Sequence, residues 1–214
     1  ATAGLAGCAT FSIDAGMAAV QKATQSAIGK DVQWARTPAE QAALDSRVAV
    51  LLSKPLLPND AVQLALLNNQ GLQASFAELG IGEADLVQAG RLANPGFSFG
   101  RTRQGSEVEL ERGLHLNLAR LIAMPMLQQV QARRFEALQR MVSMDVLTLA
   151  SEARKAWVLA VAADENLRYS KQVMQAAEAS AELARRMAQV GNFNKLQQAR
   201  EQSFYADAAL NVAR

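Results

Sequence analysis

Few residues of this chain combine the type and the spacing that chemistry needs. Its one histidine, His115, follows Glu109 and Glu111 at two-residue steps in "EVELERGLHLNL", which is strand spacing. An imidazole near carboxylates can serve as a base or a ligand. With no second histidine in the chain, an exposed side chain is the simpler role. Methionine thioethers are soft ligands for copper. However, Met124, Met126, Met141, Met144, Met174 and Met187 do not gather at one ligand-like spacing, and gap filling between helices is their expected use. Trp34 and Trp157 read as packing residues. A single cysteine, Cys8, excludes an internal disulfide and a multi-cysteine metal site. No phosphate loop, dinucleotide turn or nucleophile elbow is present. The sequence therefore predicts no enzyme, no cofactor and no metal.

Composition narrows the classes further. The chain has 214 residues, half of them apolar but only 5% aromatic, with a net charge of +2. That suits close helix packing better than a thick globular centre. Positive and negative side chains are interspersed, so no basic patch points to nucleic acid. No stretch reaches the ~18–20 apolar residues of a membrane-spanning helix.

Cys8 has a distinctive context. Leu5-Ala6-Gly7-Cys8 resembles the lipobox of bacterial lipoprotein signals, in which the cysteine becomes the acylated first residue. The alternative is a chance run of small residues beside a buried cysteine. On the lipobox reading residues 1–7 are a signal remnant, and Ala9 after the cysteine directs the anchor to the outer membrane. Residue 1 is not Met, and "FYADAALNVAR" is still in helical phase at Arg214. The chain is therefore expected to be a segment of something longer.

Five segments follow from the pattern. After residues 1–7, residues 8–55 form a lipid-anchored, partly extended arm whose short Ala-rich helical pieces are interrupted by Gly16, Gly29, Pro38 and Pro55. Residues 56–94 carry helices, with Asp60 and Gln63 placed as a capping box, a brief break at "NNQG", and an end at "ANPGF" where Pro95 forces Asn94 out of helix. Gly80 and Gly82 either weaken the second helix or permit close contact. Residues 95–119 hold the one β signal, two strands joined near Gln104-Gly105-Ser106. In the second strand Val108, Leu110, Leu114, Leu116 and Leu118 share a face on which Arg112 is the one charge, while Glu109, Glu111, Gly113, His115 and Asn117 share the other. Strands of about ten residues have the length that a tilted strand needs to cross a bilayer. Two strands alone leave open edges, so a membrane role demands more of them.

Residues 120–214 predict a long coiled-coil hairpin. Pro125 suits a helix start, and from Met126 to Val190 no Gly or Pro intervenes, a helix of roughly 98 Å. Steps of four and three from Val142 through Val146, Leu149, Ala153, Ala156, Ala160, Ala163, Leu167, Ser170, Met174, Ala177, Ala181, Ala184 and Ala188 make a coiled-coil seam. Gly191 can end the helix in the left-handed conformation. Asn194, with Gln197 three positions on, caps the next helix, whose expected seam is Leu196, Ala199, Ser203, Ala206, Leu210 and Ala213. The tip at 191–194, with Phe193 either exposed or tucked between the helices, invites a partner. Gly191, Asn192, Phe193, Asn194 and Leu196 are the expected contact residues.

This ordered set resembles the TolC family of outer-membrane efflux proteins. "AVQLALLNNQGLQASFAELGIGEADLVQAGRLANPGFSF" is similar to that family's first helices and first strand, with Gln70 where many members have Pro. "LNLARLIAMPMLQQVQARRFEA" is similar to its passage into the long helix. "VGNFNKLQQAREQSFYADA" is similar to its periplasmic hairpin tip, with Asn194 for a frequent Ser or Thr and Gln197 for a frequent Asp. The likeness covers about 56–214, and its strength lies in the order of the parts. It implies a mainly α fold with a small antiparallel β-hairpin, corresponding to the N-terminal half of a protomer. It also implies a homotrimer whose barrel of twelve strands lies in outer-membrane lipid and whose helices form a periplasmic tunnel. The tips would meet a periplasmic adaptor protein and, through it, an inner-membrane transporter, and His115 would face the channel. A passive conduit needs no active site. The rival expectation is a periplasmic adaptor or scaffold built on a coiled-coil hairpin, which would carry lipoyl-like β domains that this sequence lacks.

Overall fold

The structure of the chain, a computed structural model, describes residues 10–91 and 94–214. It is mainly helical with a small two-stranded antiparallel sheet. The elements are α1 (Met17–Ile28), α2 (Pro38–Leu52), α3 (Pro58–Asn68), α4 (Gln70–Ala89), β1 (Gly96–Gln104), β2 (Glu107–His115), α5 (Leu118–Gln189) and α6 (Lys195–Ala213). They fall into two compact units, Ala1–Glu152 and Ala153–Arg214.

In the first unit the expected arm is largely two capped helices. Gly16, Gly29 and Pro38, which look like interruptions, stand at helix ends, and Pro55 lies between α2 and α3. Gly16 (φ 77) opens α1 and Gly29 (φ 62) closes it, its N–H donating to the Gln25 carbonyl, as a left-handed C-cap does. Pro38 lies in the first turn of α2. Thr37 and Glu40 form a capping box there, with the Glu40 N–H donating to Thr37 Oγ1 at 3.2 Å and the Thr37 N–H to Glu40 Oε2 at 3.0 Å. Met17, Val20 and Thr24 bury one face of α1, and Val32 and Leu44 follow them inward. Residues 30–36 between the helices are the extended part. The Gln63 side-chain amide donates to the Asp31 carbonyl at 2.9 Å, and that of Gln73 donates to the Gln33 carbonyl at 2.8 Å. Gln73 Oε1 in turn accepts the Ala35 N–H at 2.9 Å. With Gln21, whose side-chain amide donates to the Val32 carbonyl at 3.1 Å, three glutamines thus take the place of a neighbouring strand along this backbone.

That use of Gln63 corrects the expected Asp60–Gln63 box. Helix α3 begins earlier, with Leu57 as N-cap and Pro58 in its first turn, because proline has no N–H to leave unpaired there. Asp60 instead pairs with Lys54 at 3.4 Å. The break at "NNQG" is real. Asn69 separates α3 from α4, and its side chain accepts the Leu72 N–H at 2.8 Å. Val62, Leu66, Leu67, Leu72, Phe76, Leu79 and Val87 bury the inner faces of these helices, with Val142 and Val146 of α5 also in the core. Gly80 and Gly82 permit close contact. A Cβ on Gly80 would stand 3.2 Å from the Trp34 ring, and one on Gly82 would stand 2.6 Å from Leu138.

Helix α5 starts at Leu118, ahead of Pro125, which lies inside it. Asn117 explains the earlier start: its Oδ1 accepts the Arg120 N–H at 2.9 Å and its carbonyl accepts that of Leu121. The cap is stronger punctuation than the proline, which near a helix start removes one bond, to the Leu121 carbonyl. The expected row along α5 is covered only in part. Val142, Val146, Ala177, Ala181 and Ala184 are buried, whereas Ala156, Ala160, Ala163 and Leu167 are exposed.

In the second unit α6 runs back along the end of α5, but on another face than expected. Leu196, Ala199, Ser203, Ala206, Leu210 and Ala213 are all exposed. The covered side holds Gln198, Glu201, Tyr205, Ala208, Ala209 and Val212. The two stripes start two residues apart, about 200° around the helix. Glu201 can face inward because the Ser180 hydroxyl donates to it at 2.6 Å. The turn fixes the phase, and apolarity then marks the outer stripe.

Gly16 gives a test of the first unit. Its left-handed φ and the Phe135 ring and Gln139 amide against it leave no room for a Cβ, whereas Gly29 has an equally left-handed φ and open space. Gly29→Ala should cost about 1 kcal/mol for backbone strain alone, and Gly16→Ala about 1–3 kcal/mol more for overpacking. Urea unfolding followed by helical circular dichroism checks the difference, and equal costs would show that the Phe135 contact carries no weight.

Candidate functional site

Two surfaces, at the hairpin tip and on the β-ribbon, hold the residues that sequence singles out. The tip is built by local hydrogen bonds. Gly191, at φ 80, gives its N–H to the Ala188 carbonyl at 3.2 Å, and Asn192 gives its own to the Met187 carbonyl at 2.9 Å. This pair of bonds is a Schellman closure, which satisfies the last carbonyls of α5. Asn194 then caps α6: its Oδ1 accepts the Gln197 N–H at 2.8 Å, and Gln197 Oε1 accepts the Asn194 N–H at 3.0 Å. Asn192 and Asn194 stay exposed, Phe193 is half-buried, and Leu196 is 62% exposed. Val190, not foreseen, is the other large apolar side chain open to solvent at the tip. The exposed tip thus comprises Val190, Gly191, Asn192, Asn194 and Leu196.

Behind the tip, Glu182 anchors a charge cluster. Arg185 grips its carboxylate with Nε and Nη2, both at 2.8 Å, and Arg186 Nε adds a third bond at 2.7 Å. Hydrogen bonds from Arg185 and then Arg186 draw the Glu182 carboxyl down from the usual 4.5 to about 2. Both arginines lie near the C-terminal end of α5, where the helix dipole favours positive charge.

The ribbon is set by its turn. Gly105 takes φ 65, the left-handed value that two-residue hairpin loops favour. Counting back from that loop pairs Phe97 with Leu114, Phe99 with Arg112, Arg101 with Leu110 and Arg103 with Val108. These eight residues share one face, and Phe97 (73%) and Leu114 (66%) are exposed on it. The other face carries Gly96, Ser98, Gly100 and Thr102 beside His115, Gly113, Glu111 and Glu109. It is small and acidic. There the Ser98 hydroxyl lies 3.3 Å from His115 Nε2, an exposed pair on an open ribbon. The charge of the first face was underread from sequence: Arg112 was placed there, but Arg101 and Arg103 join it only once both strands are registered.

Other candidates are structural or lie elsewhere. Cys8 and the residues before it lie outside the described residues. Glu83 is buried and one carboxylate oxygen accepts the Ser12 N–H at 2.7 Å, so it ties the chain's early residues to α4. Met174 and Met187 are half-buried as packing residues should be, whereas Met126, Met141 and Met144 are exposed. Among the described residues no group of three His, Cys, Asp or Glu side chains could hold a metal ion, and no helix is long and apolar enough to cross a membrane.

The Glu182 cluster yields a pH prediction. A carboxyl whose folded value is lowered stabilises the fold above its ordinary range, and that stabilisation is lost as pH falls toward the folded value. The hairpin should therefore weaken between about pH 4.5 and 2. Carbon-detected NMR of Glu182 should give a midpoint near 2 that returns toward 4.5 in Arg185→Gln/Arg186→Gln; an unchanged midpoint would contradict the assignment. In comparisons with known proteins, no family model, no curated protein and no solved structure matches this chain.

Proposed function

We propose that this chain is part of a passive outer-membrane duct of the TolC-like type, through which an inner-membrane transporter exports its substrates. The observation that carries the reading is the ribbon. Each strand has nine residues, about 30 Å of extended chain, and one open face carries five large apolar residues with Arg101, Arg103 and Arg112 while the other is small and acidic. Such alternation suits a wall with lipid on one side and water on the other. Among the described residues neither strand has a second partner. Lipid cannot satisfy the free edges, so closure requires further strands. In this reading they come from a homotrimer sharing one barrel of twelve strands, and two strands of each protomer are these.

The helices support the same reading. The outer stripe of α6, Leu196 to Ala213, is apolar and unpartnered on the side away from α5. A helix that packs on one side against α5 and carries a largely apolar stripe on the other suits the wall of a tube, where each helix has two neighbours. The long helix would carry the duct across the periplasm, and Cys8 would anchor the chain to outer-membrane lipid. The tip, from Val190 to Leu196, would meet a periplasmic adaptor protein. Export needs no catalytic group in the duct itself, since the transporter supplies the driving force. A periplasmic adaptor or scaffold would use the same tip but gives no role to an amphipathic ribbon.

Cross-linking in cells tests the proposal. A cysteine at Asn192→Cys in the full-length protein should form a disulfide with cysteines placed along the hairpin of the cognate adaptor, and the protein should fractionate with the outer membrane. Failure at every position from 190 to 196 would contradict adaptor docking. Labelled palmitate should enter the precursor through Cys8 and be lost in Cys8→Ser; equal labelling would remove the anchor.

A further inference from the structure

The arginines of the ribbon occupy an unexpected place. Arg103, Arg101 and Arg112 sit in three consecutive rows counted from the turn, opposite Val108, Leu110 and Phe99. All three are exposed. They are on the apolar face, while Glu109 and Glu111 are on the other. Among the described residues none of the three forms an ion pair. Arg103 Nε donates to the Gly105 carbonyl at 3.3 Å. The residues toward the strand ends are different: Phe97 and Leu114 form the next row, both well exposed, whereas Leu116 and Leu118, expected on this strand, lie beyond it because β2 ends at His115 and Leu118 opens α5. One face therefore changes from guanidinium to hydrocarbon along its length.

That gradient restricts what can cover the face. An arginine facing lipid is strongly unfavourable at the bilayer midplane and nearly neutral at the interface. Three rows span roughly 14 Å of strand, or about 10 Å along the membrane normal at a tilt near 40°. The headgroup zone of one leaflet is about 5–7 Å deep, and arginine stems extend the reach of the charge past their own row. A guanidinium fork matches phosphate oxygens in pairs.

Resting on the duct reading, we propose that the face formed by Arg101, Arg103 and Arg112 docks against the phosphate groups of anionic lipids and fixes how deep the ribbon sits. The arginine rows lie at the headgroups, the turn at Gly105 lies beyond them toward water, and the Phe97–Leu114 end lies toward hydrocarbon. The occupant is a lipid surface rather than free phosphate, because Val108, Leu110, Phe99 and the Phe97–Leu114 row present hydrocarbon on the same face. One elementary charge near an anionic surface strengthens binding about fivefold, so three give on the order of a hundredfold.

Vesicle flotation of the full-length protein tests this. Vesicles of phosphatidylcholine are compared with vesicles containing about one third phosphatidylglycerol. The unaltered chain should bind the anionic vesicles on the order of a hundredfold more tightly, less so as salt screens the charges. Arg101→Gln/Arg103→Gln/Arg112→Gln should lose that preference and keep its helical circular dichroism. The corresponding triple lysine variant should keep most of it, and Glu109→Gln/Glu111→Gln should not weaken it. Excess inorganic phosphate should not compete; full competition would point to a free-phosphate site and overturn the proposal. Equal binding of both vesicle types by the unaltered and the triple glutamine chains would overturn it while leaving the duct reading standing. No binding of the unaltered chain to either vesicle would overturn both.

Discussion

The constraint on which the rest depends is that extended backbone cannot be left unpaired in lipid. A two-stranded ribbon satisfies only its inner hydrogen bonds, and each outer edge presents N–H and C=O groups that water can solvate and hydrocarbon cannot. Yet the ribbon places Phe97, Phe99, Leu110 and Leu114 on one exposed face beside Arg101, Arg103 and Arg112, and the apolar members of that face gain nothing from water. In the proposed duct, closure by further strands with that face outward would satisfy those edges.

The helical parts are built to a compatible plan. The first unit holds its early residues by polar clamps: Gln63 and Gln73 pair the backbone of residues 31–35, and Glu83 takes the Ser12 N–H. In the second unit the turn is held by five hydrogen bonds around Gly191 and Asn194 where packing is thin, and Ala177, Ala181, Ala184 and Ala208 keep the two helices close. Small residues at a helix contact permit near approach of the backbones, and they leave the larger apolar side chains, Leu183, Leu196 and Leu210, outside. An antiparallel hairpin with its larger side chains outward is suited to contact with neighbours.

What could be read from the residues alone divides by range. The Schellman glycine, the Asn194–Gln197 box, the break at Asn69 and the strand turn at Gly105 were legible because a few neighbouring residues determine each. The face of α6 was not. The phase of a returning helix is set by the turn geometry, and inward Glu201 becomes acceptable only when Ser180 stands across from it. Gly16, Gly29 and Pro38 were read as interruptions because the same residues break a helix inside it and cap it at its ends. Pro125 misled in the other direction, since Asn117 had already begun the helix. The arginine rows were latent in the sequence: once a two-residue loop at 105–106 is accepted, pairing follows by counting, and Arg101 and Arg103 fall beside the apolar residues of the second strand.

The account is tested most directly by where the two faces of the ribbon lie in the membrane. Nitroxide labels placed singly at each residue from 97 to 103 and from 108 to 114 of the full-length protein, in outer-membrane vesicles, report contact with dissolved oxygen in lipid and with a water-soluble nickel complex. A two-residue alternation is predicted, with oxygen contact at Phe97, Phe99, Leu110 and Leu114 above that of their strand neighbours and highest at Phe97 and Leu114, and nickel contact highest at Ser98, Gly100, Glu109 and Glu111. Uniform access to nickel along both strands would contradict a ribbon closed into a lipid-embedded wall.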